Sequence, residues 1–146
     1  GLHDLAVRFS RCCNPVPGDE IVGFVTRGRG VSIHRTDCIN VINLPEDERG
    51  RLIDAEWQVA ENPTSTEQYS TEIQIFANNR IGLFADISKV FTEKQIDITS
   101  MNVRTSKQGR ATIIMTFDIH GTEELNRITD KIRQIDGVLD IQRTTG

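Results

Sequence analysis

The second half of the chain has the clearer pattern of apolar and polar positions. The two types of residue alternate from Tyr69 to Ile75 and again from Ala111 to Ile119, which is the period of a half-buried β-strand. Residues 96–104 and 138–143 also have strand character. Two other stretches repeat apolar residues at helical spacing: Leu83, Phe84, Ile87, Val90 and Phe91, and then Leu125, Ile128, Ile132 and Ile135.

The order of these elements predicts a fold for the second half. Strand, helix, strand, strand, helix, strand is the ferredoxin-like βαββαβ arrangement, in which right-handed crossovers place both helices on one face of a four-stranded antiparallel sheet. Thr122 is the predicted N-cap of the second helix, and Gly137 follows its end. Phe76 and Ile114 fall on the other face, so we expect a second subunit or another domain to cover it.

The first half has the pattern of a small β-rich unit. Residues 5–9, 21–25, 31–33 and 51–57 are predicted strands, and the glycines of residues 27–30 favour a hairpin between the second and third. A short helix capped by Thr36 or Asp37 is expected to follow and to end before Pro45. Because this unit has few apolar residues, its hydrophobic core is small, and a cross-link would add to its stability.

A polar segment, residues 61–68, separates the halves. It contains Pro63 and has no hydrophobic period, which is typical of a linker. We therefore expect two domains, residues 1–60 and residues 69–146, and an α+β fold class for the whole chain.

Composition limits the class of protein and its compartment. The 146 residues are 37% apolar and 26% charged, as in soluble globular proteins. No apolar run approaches the roughly 18 residues of a membrane span, and the N-terminus lacks the features of a secretion signal. The absence of an initiator Met suggests a piece of a longer chain. An odd number of cysteines, 3, without a secretion signal indicates reduced thiols and a cytoplasmic location.

Charge is distributed unevenly along the chain. The net charge of −4 argues against nucleic-acid binding by the bulk charge of the whole chain. Residues 1–40 nevertheless hold five arginines against four acidic residues. These arginines could form a local surface for a phosphate backbone, or simply a solvated turn: Arg8, Arg11, Arg27, Arg29 and Arg35.

The first half also contains the ligand types of a zinc site, three thiolates and one imidazole, at Cys12, Cys13, His34 and Cys38. His34 and Cys38 would share a face of a short helix, whereas Cys12 and Cys13 would point to opposite sides of a strand. A structural metal site and a metal-free core of packed thiols both remain open. A nucleophilic Cys–His pair is the enzymatic alternative, and it needs a third, orienting group.

Two long strings in the first half match a known family at the same spacing. RFSRCCNPVPGD, residues 8–19, and GFVTRGRGVSIHRTDC, residues 23–38, closely resemble the C-terminal regulatory region of the long Rel/SpoT enzymes, which make and hydrolyse the alarmone (p)ppGpp. The second half resembles the ACT domain that ends those enzymes, with IGLFADI, residues 81–87, at the loop from strand to helix.

This resemblance implies a regulatory segment without catalytic residues of its own. In that family the N-terminal half holds a (p)ppGpp hydrolase and a GTP pyrophosphokinase. The C-terminal half senses amino-acid starvation through contacts with ribosomal RNA and uncharged tRNA, and it controls the catalytic half. Its first part is often called a zinc finger, which implies a structural zinc ion.

The ACT resemblance implies a small effector, usually an amino acid, bound between two subunits at one loop. Its residues here are Asn79, Arg80, Ile81, Gly82 and Leu83. The alternative function is a stand-alone amino-acid-binding ACT regulator that dimerises through its sheet and does not bind RNA. Tight binding of branched-chain amino acids without ribosome association would favour that alternative.

Overall fold

The computed structural model describes residues 6–57 and 67–144, which form two four-stranded sheets. The first sheet contains β1 (Val7–Phe9), β2 (Ile21–Val25), β3 (Val31–Arg35) and β4 (Leu52–Asp54), with helix α1 (Ile39–Ile42) and a 3-10 helix (Glu46–Arg51) between β3 and β4. The second contains β5 (Tyr69–Asn78), α2 (Leu83–Glu93), β6 (Ile98–Thr105), β7 (Arg110–Ile119), α3 (Thr122–Arg133) and β8 (Val138–Arg143). Most of the predicted linker, residues 61–66, lies outside the described residues.

The second sheet confirms the ferredoxin-like prediction. Its strand order is β6-β7-β5-β8, and every neighbouring pair is antiparallel. Apolar residues of β5 and β7 are paired across the two strands: Ile73 lies opposite Met115, and Ile75 lies opposite Ile113. Helices α2 and α3 cover this face with fully or nearly fully buried side chains: Leu83, Ile87, Phe91, Leu125, Ile128 and Ile132. No helix in residues 6–57 and 67–144 is long and apolar enough to cross a membrane.

The opposite face of the second sheet is mixed in polarity. Phe76 and Ile114 are half-buried there, and their cross-strand partners are Thr112 and Gln74. Glu72 on the same face accepts a hydrogen bond from the Thr144 hydroxyl at 2.6 Å. A partner covering this face therefore stays a prediction.

The first sheet has the strand order β1-β3-β2-β4. β2 and β3 form the predicted hairpin, while β1 runs parallel to β3. The helix cap differs from the prediction, because α1 has Cys38 at its N-cap. Thr36 instead donates its backbone N–H to the Glu20 carbonyl, and Asp37 pairs with Arg35. The last strand is shorter than predicted at both ends, because the 3-10 helix includes Arg51 and the pairing with β2 ends at Asp54.

A turn formed by residues 14–19 joins the two domains. Val16 is fully buried among the core residues of the second domain. The Pro17 carbonyl accepts a hydrogen bond of 2.8 Å from the Thr122 N–H, at the first residue of α3. The prediction that Thr122 caps α3 is therefore wrong. Gly121 occupies the N-cap position without a side-chain cap, and a carbonyl of the first domain binds the N–H of Thr122.

Polar contacts strengthen this junction. The Arg143 guanidinium donates to both carboxylate oxygens of Asp19, at 2.7 and 3.0 Å. Arg35 donates from one nitrogen to the Cys13 carbonyl at 3.2 Å and to the Thr144 carbonyl at 3.1 Å. Each guanidinium thus connects the first domain with the end of β8, and the two sheets share an interface.

The burial of Val16 generates a prediction about stability. Val16→Ala removes two buried methyl groups from the core of the second domain and should lower the free energy of unfolding by about 2 kcal/mol. Urea denaturation followed by circular dichroism measures this change. Val7→Ala, at a side chain that is 59% exposed, is the matched control and should change stability by less than about 0.5 kcal/mol. Equal effects of the two substitutions would contradict the docking of residues 14–19.

Candidate metal centre

Four potential metal ligands meet in the first domain. The ligand atoms of Cys12, Cys13, His34 and Cys38 all lie within 4.8 Å of one another. The Cys12 Sγ lies 3.4 Å from His34 Nδ1 and 3.4 Å from Cys38 Sγ. The Cys13 Sγ lies 3.9 Å from His34 Nδ1 and 4.0 Å from the Cys12 Sγ. We call these four residues the Cys/His cluster.

Three segments of the first domain position the cluster. Cys12 and Cys13 lie in a turn after β1, closed by a 3.0 Å hydrogen bond from the Asn14 N–H to the Ser10 carbonyl. Asn14 has a positive φ of 49°, in the left-handed region that Asn tolerates better than most residues. Because the two cysteines are not in a strand, the predicted obstacle to their pointing the same way does not apply.

His34 and Cys38 come together in a different way from the one expected. They do not share a helix face, because His34 belongs to β3 and Cys38 is the N-cap of α1. The chain turns between strand and helix, and the Cys38 carbonyl then accepts hydrogen bonds from the N–H groups of Val41 and Ile42. The connection from β3 to α1 thus brings the Cys38 thiol beside the imidazole.

The His34 imidazole is oriented by two serine hydroxyls. Its Nε2 lies 3.0 Å from Ser10 Oγ and 3.2 Å from Ser32 Oγ, while Nδ1 faces the cysteine sulfurs. If Nε2 carries the proton and donates to these oxygens, Nδ1 has a free lone pair, as a metal-ligating histidine requires. Burial also lowers the pKa of His34, which favours the neutral ring.

Burial shifts the pKa of the buried thiols in the opposite direction. It raises the pKa of Cys13 to about 12, although the Arg35 backbone N–H, 3.3 Å from the Cys13 sulfur, opposes the shift. Burial also raises the pKa of Cys38. A nucleophilic cysteine requires a lowered pKa, so the environments of Cys13 and Cys38 do not suit nucleophilic catalysis. A bound divalent cation would stabilise the thiolates in the same environment.

The spacing of the cluster suits a tetrahedral centre. With metal–sulfur bonds of 2.3 Å and metal–nitrogen bonds of 2.0–2.1 Å, tetrahedral ligand atoms lie about 3.5–3.8 Å apart. Four of the six separations between ligand atoms are 3.4–4.0 Å and bracket these values, and all six are within 4.8 Å. The four residues could therefore hold a metal ion. Four protein ligands would leave no open position on such an ion for a substrate, so its role would be structural.

The arginines predicted to contact RNA do not form a uniform group. Arg8, Arg11, Arg27 and Arg29 are exposed. They follow one border of the first sheet, from the β2–β3 hairpin along β1 to the turn that carries the cysteines. Arg35 is only 5% exposed and binds Asp37 and two carbonyls. Its inclusion among the surface arginines is corrected: Arg35 supports the cluster and the domain junction.

The predicted effector loop lies at one end of the second sheet. The Arg80 guanidinium donates to the Asp136 carbonyl at 2.8 Å and pairs with Asp86 at 2.8 Å. Ile81 is fully exposed, and Gly82 has a φ of +84° at the N-cap of α2. Leu83 is fully buried in the core, so its side chain serves packing and is removed from the group of effector contacts.

Sequence analysis missed Ser10 and Ser32, which hold the imidazole. Ser32 and His34 are two apart in β3 and therefore project from the same face of the sheet. That spacing is a signal available in the sequence. No local pattern indicates Ser10, because its position depends on the parallel pairing of β1 with β3.

Family comparisons match both halves of the chain. The RelA/SpoT RIS domain matches residues 1–58, and the ACT domain matches residues 65–143. The chain is 39% identical over 145 residues to a GTP pyrophosphokinase of Streptomyces coelicolor, covering 99% of this chain and 16% of the relative. It is 37% identical over 147 residues to that of Escherichia coli K12, covering 100% of this chain and 19% of the relative.

A further relative is also much longer than this chain. The bifunctional (p)ppGpp synthase/hydrolase RelA of Mycobacterium tuberculosis is 36% identical over 145 residues, which are 99% of this chain and 19% of the relative. This chain therefore spans less than a fifth of each of these relatives. Among solved structures, the ACT domain from a Chlorobium tepidum GTP pyrophosphokinase superposes with a TM-score of 0.48 at 22% identity, covering 53% of this chain and 99% of the other.

The geometry of the cluster predicts a measurable metal content. Purified, tag-free protein should contain about one divalent metal ion per chain by elemental analysis, and Cys38→Ala should lose it, because three remaining ligands bind far more weakly. His120→Ala, at an exposed histidine in the second domain, is the control and should keep the metal. A metal-free protein with a folded first domain would contradict metal binding and leave packed thiols as the interpretation.

Proposed function

Because this chain belongs to the RelA/SpoT family, as a segment in which a RIS domain precedes an ACT domain, we propose that it regulates a GTP pyrophosphokinase. In this proposal the parent protein makes (p)ppGpp, and an assay of (p)ppGpp hydrolysis distinguishes a synthetase-only parent from a bifunctional one. The segment contributes no catalytic residues. It senses amino-acid starvation in the cytoplasm through RNA contacts and passes this information to the catalytic half.

The observation that carries this proposal is the junction between the two domains. Residues 14–19 directly follow the two adjacent cysteines and enter the core of the second domain through Val16. Arg35 binds the Cys13 carbonyl on one side and the Thr144 carbonyl on the other. An event that moves the first domain therefore acts on the ACT domain through direct contacts, which a regulatory segment requires.

We assign zinc to the Cys/His cluster. Three thiolates and one imidazole match the ligand preference of zinc, and the small core of the first domain needs a cross-link. That core comprises Cys13, Cys38 and Val41, with Val22 and Leu52 packed against it. The zinc ion stabilises the fold, while contacts with other molecules are left to the surface.

The RNA contact is assigned to the exposed arginines of the first domain. Arg27 is 78% exposed at the side chain, and its ion pair with Glu48 is long, 3.8 Å. The hairpin glycines Gly28 and Gly30 both have positive φ angles, and no heavy atom lies within 4 Å of the place that a Cβ at Gly28 would take. Such a tip can approach a phosphate backbone, and the proposed partners are ribosomal RNA and tRNA.

The RNA contact leads to a prediction about salt-dependent binding. Arg27→Ala combined with Arg29→Ala should weaken binding to a ribosomal RNA fragment roughly tenfold and reduce the slope of log affinity against log salt, because fewer counterions are released. Fluorescence anisotropy at several salt concentrations measures both. Arg104→Ala with Lys107→Ala removes the same charge from the second domain and is the matched control. Equal affinities for the two double variants would refute the assignment.

We propose an amino-acid effector at the ACT loop, completed by a second subunit that associates through the ACT sheet. The fully exposed Ile81 supplies apolar contact beside the N-terminus of α2, where backbone N–H groups favour a carboxylate. Asp86 already neutralises Arg80, so the carboxylate depends on the backbone.

Titration calorimetry with isoleucine, leucine and valine tests this site. Ile81→Ser should weaken binding of the amino acid roughly tenfold without loss of stability, since the side chain is fully exposed. Absence of binding at millimolar amino acid would refute the effector site. Binding to the effector together with no measurable RNA affinity would favour the stand-alone regulator.

A further inference from the structure

A cavity of about 530 Å³, lined by Phe9 as well as by polar side chains, adjoins the Cys/His cluster on one face of the first sheet. Ser32 and His34 project from β3 on this face, and Arg8 lies beside Ser32 in the parallel pair. Helix α1 covers only the other half of the face, where Val41 packs near Val22. No described element covers the half formed by β1 and β3, and this opening is the cavity.

The floor of the cavity consists of the groups that orient the imidazole. Ser10 Oγ and Ser32 Oγ lie 3.0 and 3.2 Å from His34 Nε2. When Nδ1 binds a metal, Nε2 carries the ring proton and donates it toward both oxygens. Each hydroxyl then accepts from the ring, and its own proton is free to be donated to another acceptor. With the cluster loaded, the floor therefore presents two O–H donors to the cavity.

The rim adds positive charge. Arg8 and Arg11 line the cavity, and both are exposed. Among the lining residues within the described part of the chain there is no carboxylate. Two guanidinium groups and two hydroxyl donors, without a competing acid, form a site for an anion with several acceptor oxygens. Phosphate has this chemistry, and a carboxylate would use fewer of the donors.

We propose that this cavity binds a phosphate group. A metal ion at the Cys/His cluster keeps the hydroxyls of Ser10 and Ser32 free to donate hydrogen bonds to that phosphate. The proposal rests on the metal-loaded cluster of the proposed function but does not require RNA to be the source of the phosphate. A backbone phosphate of RNA and a free phosphate or nucleotide share this chemistry.

Removal of the metal changes the floor. The ring proton of His34 is then free to reside on Nδ1, so Nε2 becomes an acceptor and takes a hydrogen bond from one serine hydroxyl. That hydroxyl no longer donates into the cavity. Phosphate affinity should therefore fall when the metal is removed, even though neither arginine has changed.

The test uses the whole chain, loaded with one zinc ion and freed of excess metal by desalting. Titration calorimetry with inorganic phosphate should give measurable binding. Arg11→Gln and Ser32→Ala should each weaken it about fivefold to tenfold, because each loses one hydrogen bond to a charged group. Arg104→Gln and Ser100→Ala are the matched controls in the second domain and should bind phosphate as the unaltered chain does. Metal removal with a chelator should also weaken binding at least about fivefold.

Metal content is measured for every variant, because Ser32→Ala acts on a residue that orients a ligand. Arg11 is not among the hydrogen-bond partners of the His34 imidazole. Arg11→Gln therefore still tests the proposal if Ser32→Ala loses its metal. Absence of phosphate binding to the loaded chain, or equal binding by Arg11→Gln, would overturn the proposal.

A parallel titration with a short RNA distinguishes the sources of the phosphate. If the chain binds RNA but not phosphate, and phosphate does not inhibit the RNA binding, the cavity is not a phosphate site and the proposed RNA contact stands. Phosphate binding without RNA binding would support the cavity with a free anion as its ligand, and would remove the RNA contact. Mutual competition between phosphate and RNA would identify the RNA backbone as the source.

Discussion

The turn of residues 14–19 is the constraint on which the arrangement of the molecule depends. Asp19 fixes this turn, since its carboxylate accepts the Val16 N–H at 2.8 Å. The same carboxylate binds both terminal nitrogens of Arg143, which belongs to β8 of the other domain. Separation of the domains would expose the apolar side chain of Val16 to water and would break the ion pair between Asp19 and Arg143. Within the described residues, the two sheets are therefore held as one unit.

This constraint places the Cys/His cluster next to the domain interface. Cys13 immediately precedes the turn, and its carbonyl is bound by Arg35, which also binds Thr144 at the end of the second domain. The Arg35 backbone N–H in turn lies 3.3 Å from the Cys13 sulfur. Arg35 therefore contacts both the Cys13 residue of the cluster and the end of the second domain. The cluster thus has two physical roles, because it stabilises a small core and fixes one wall of the junction.

The features that sequence analysis predicted are those set by local periodicity. The alternation of β5 and β7 and the apolar stripes of α2 and α3 determine which faces are buried, and the strand order follows from handedness rules. The ligand types of the cluster were also recognisable from the sequence. Its geometry was not, since the direction of Cys12 depends on the turn conformation at Asn14. The burial of Arg35 and the contact of Thr122 with Pro17 depend on residues more than a hundred positions away.

The division of the arginines follows from the same long-range contacts. Arg35 and Arg143 hold the interior of the junction, where their several planar donors satisfy carbonyls and a carboxylate together. Arg8, Arg11, Arg27 and Arg29 remain at the border of the first sheet. In the proposed binding mode, a phosphate at that border would contact exposed guanidinium groups next to the cysteine turn. The turn itself is held by the buried Arg35 and the half-buried Arg143, which contact the end of the second domain. The proposed binding surface and the packing at the junction are therefore separated by only a few residues of the chain, from Arg11 to Val16.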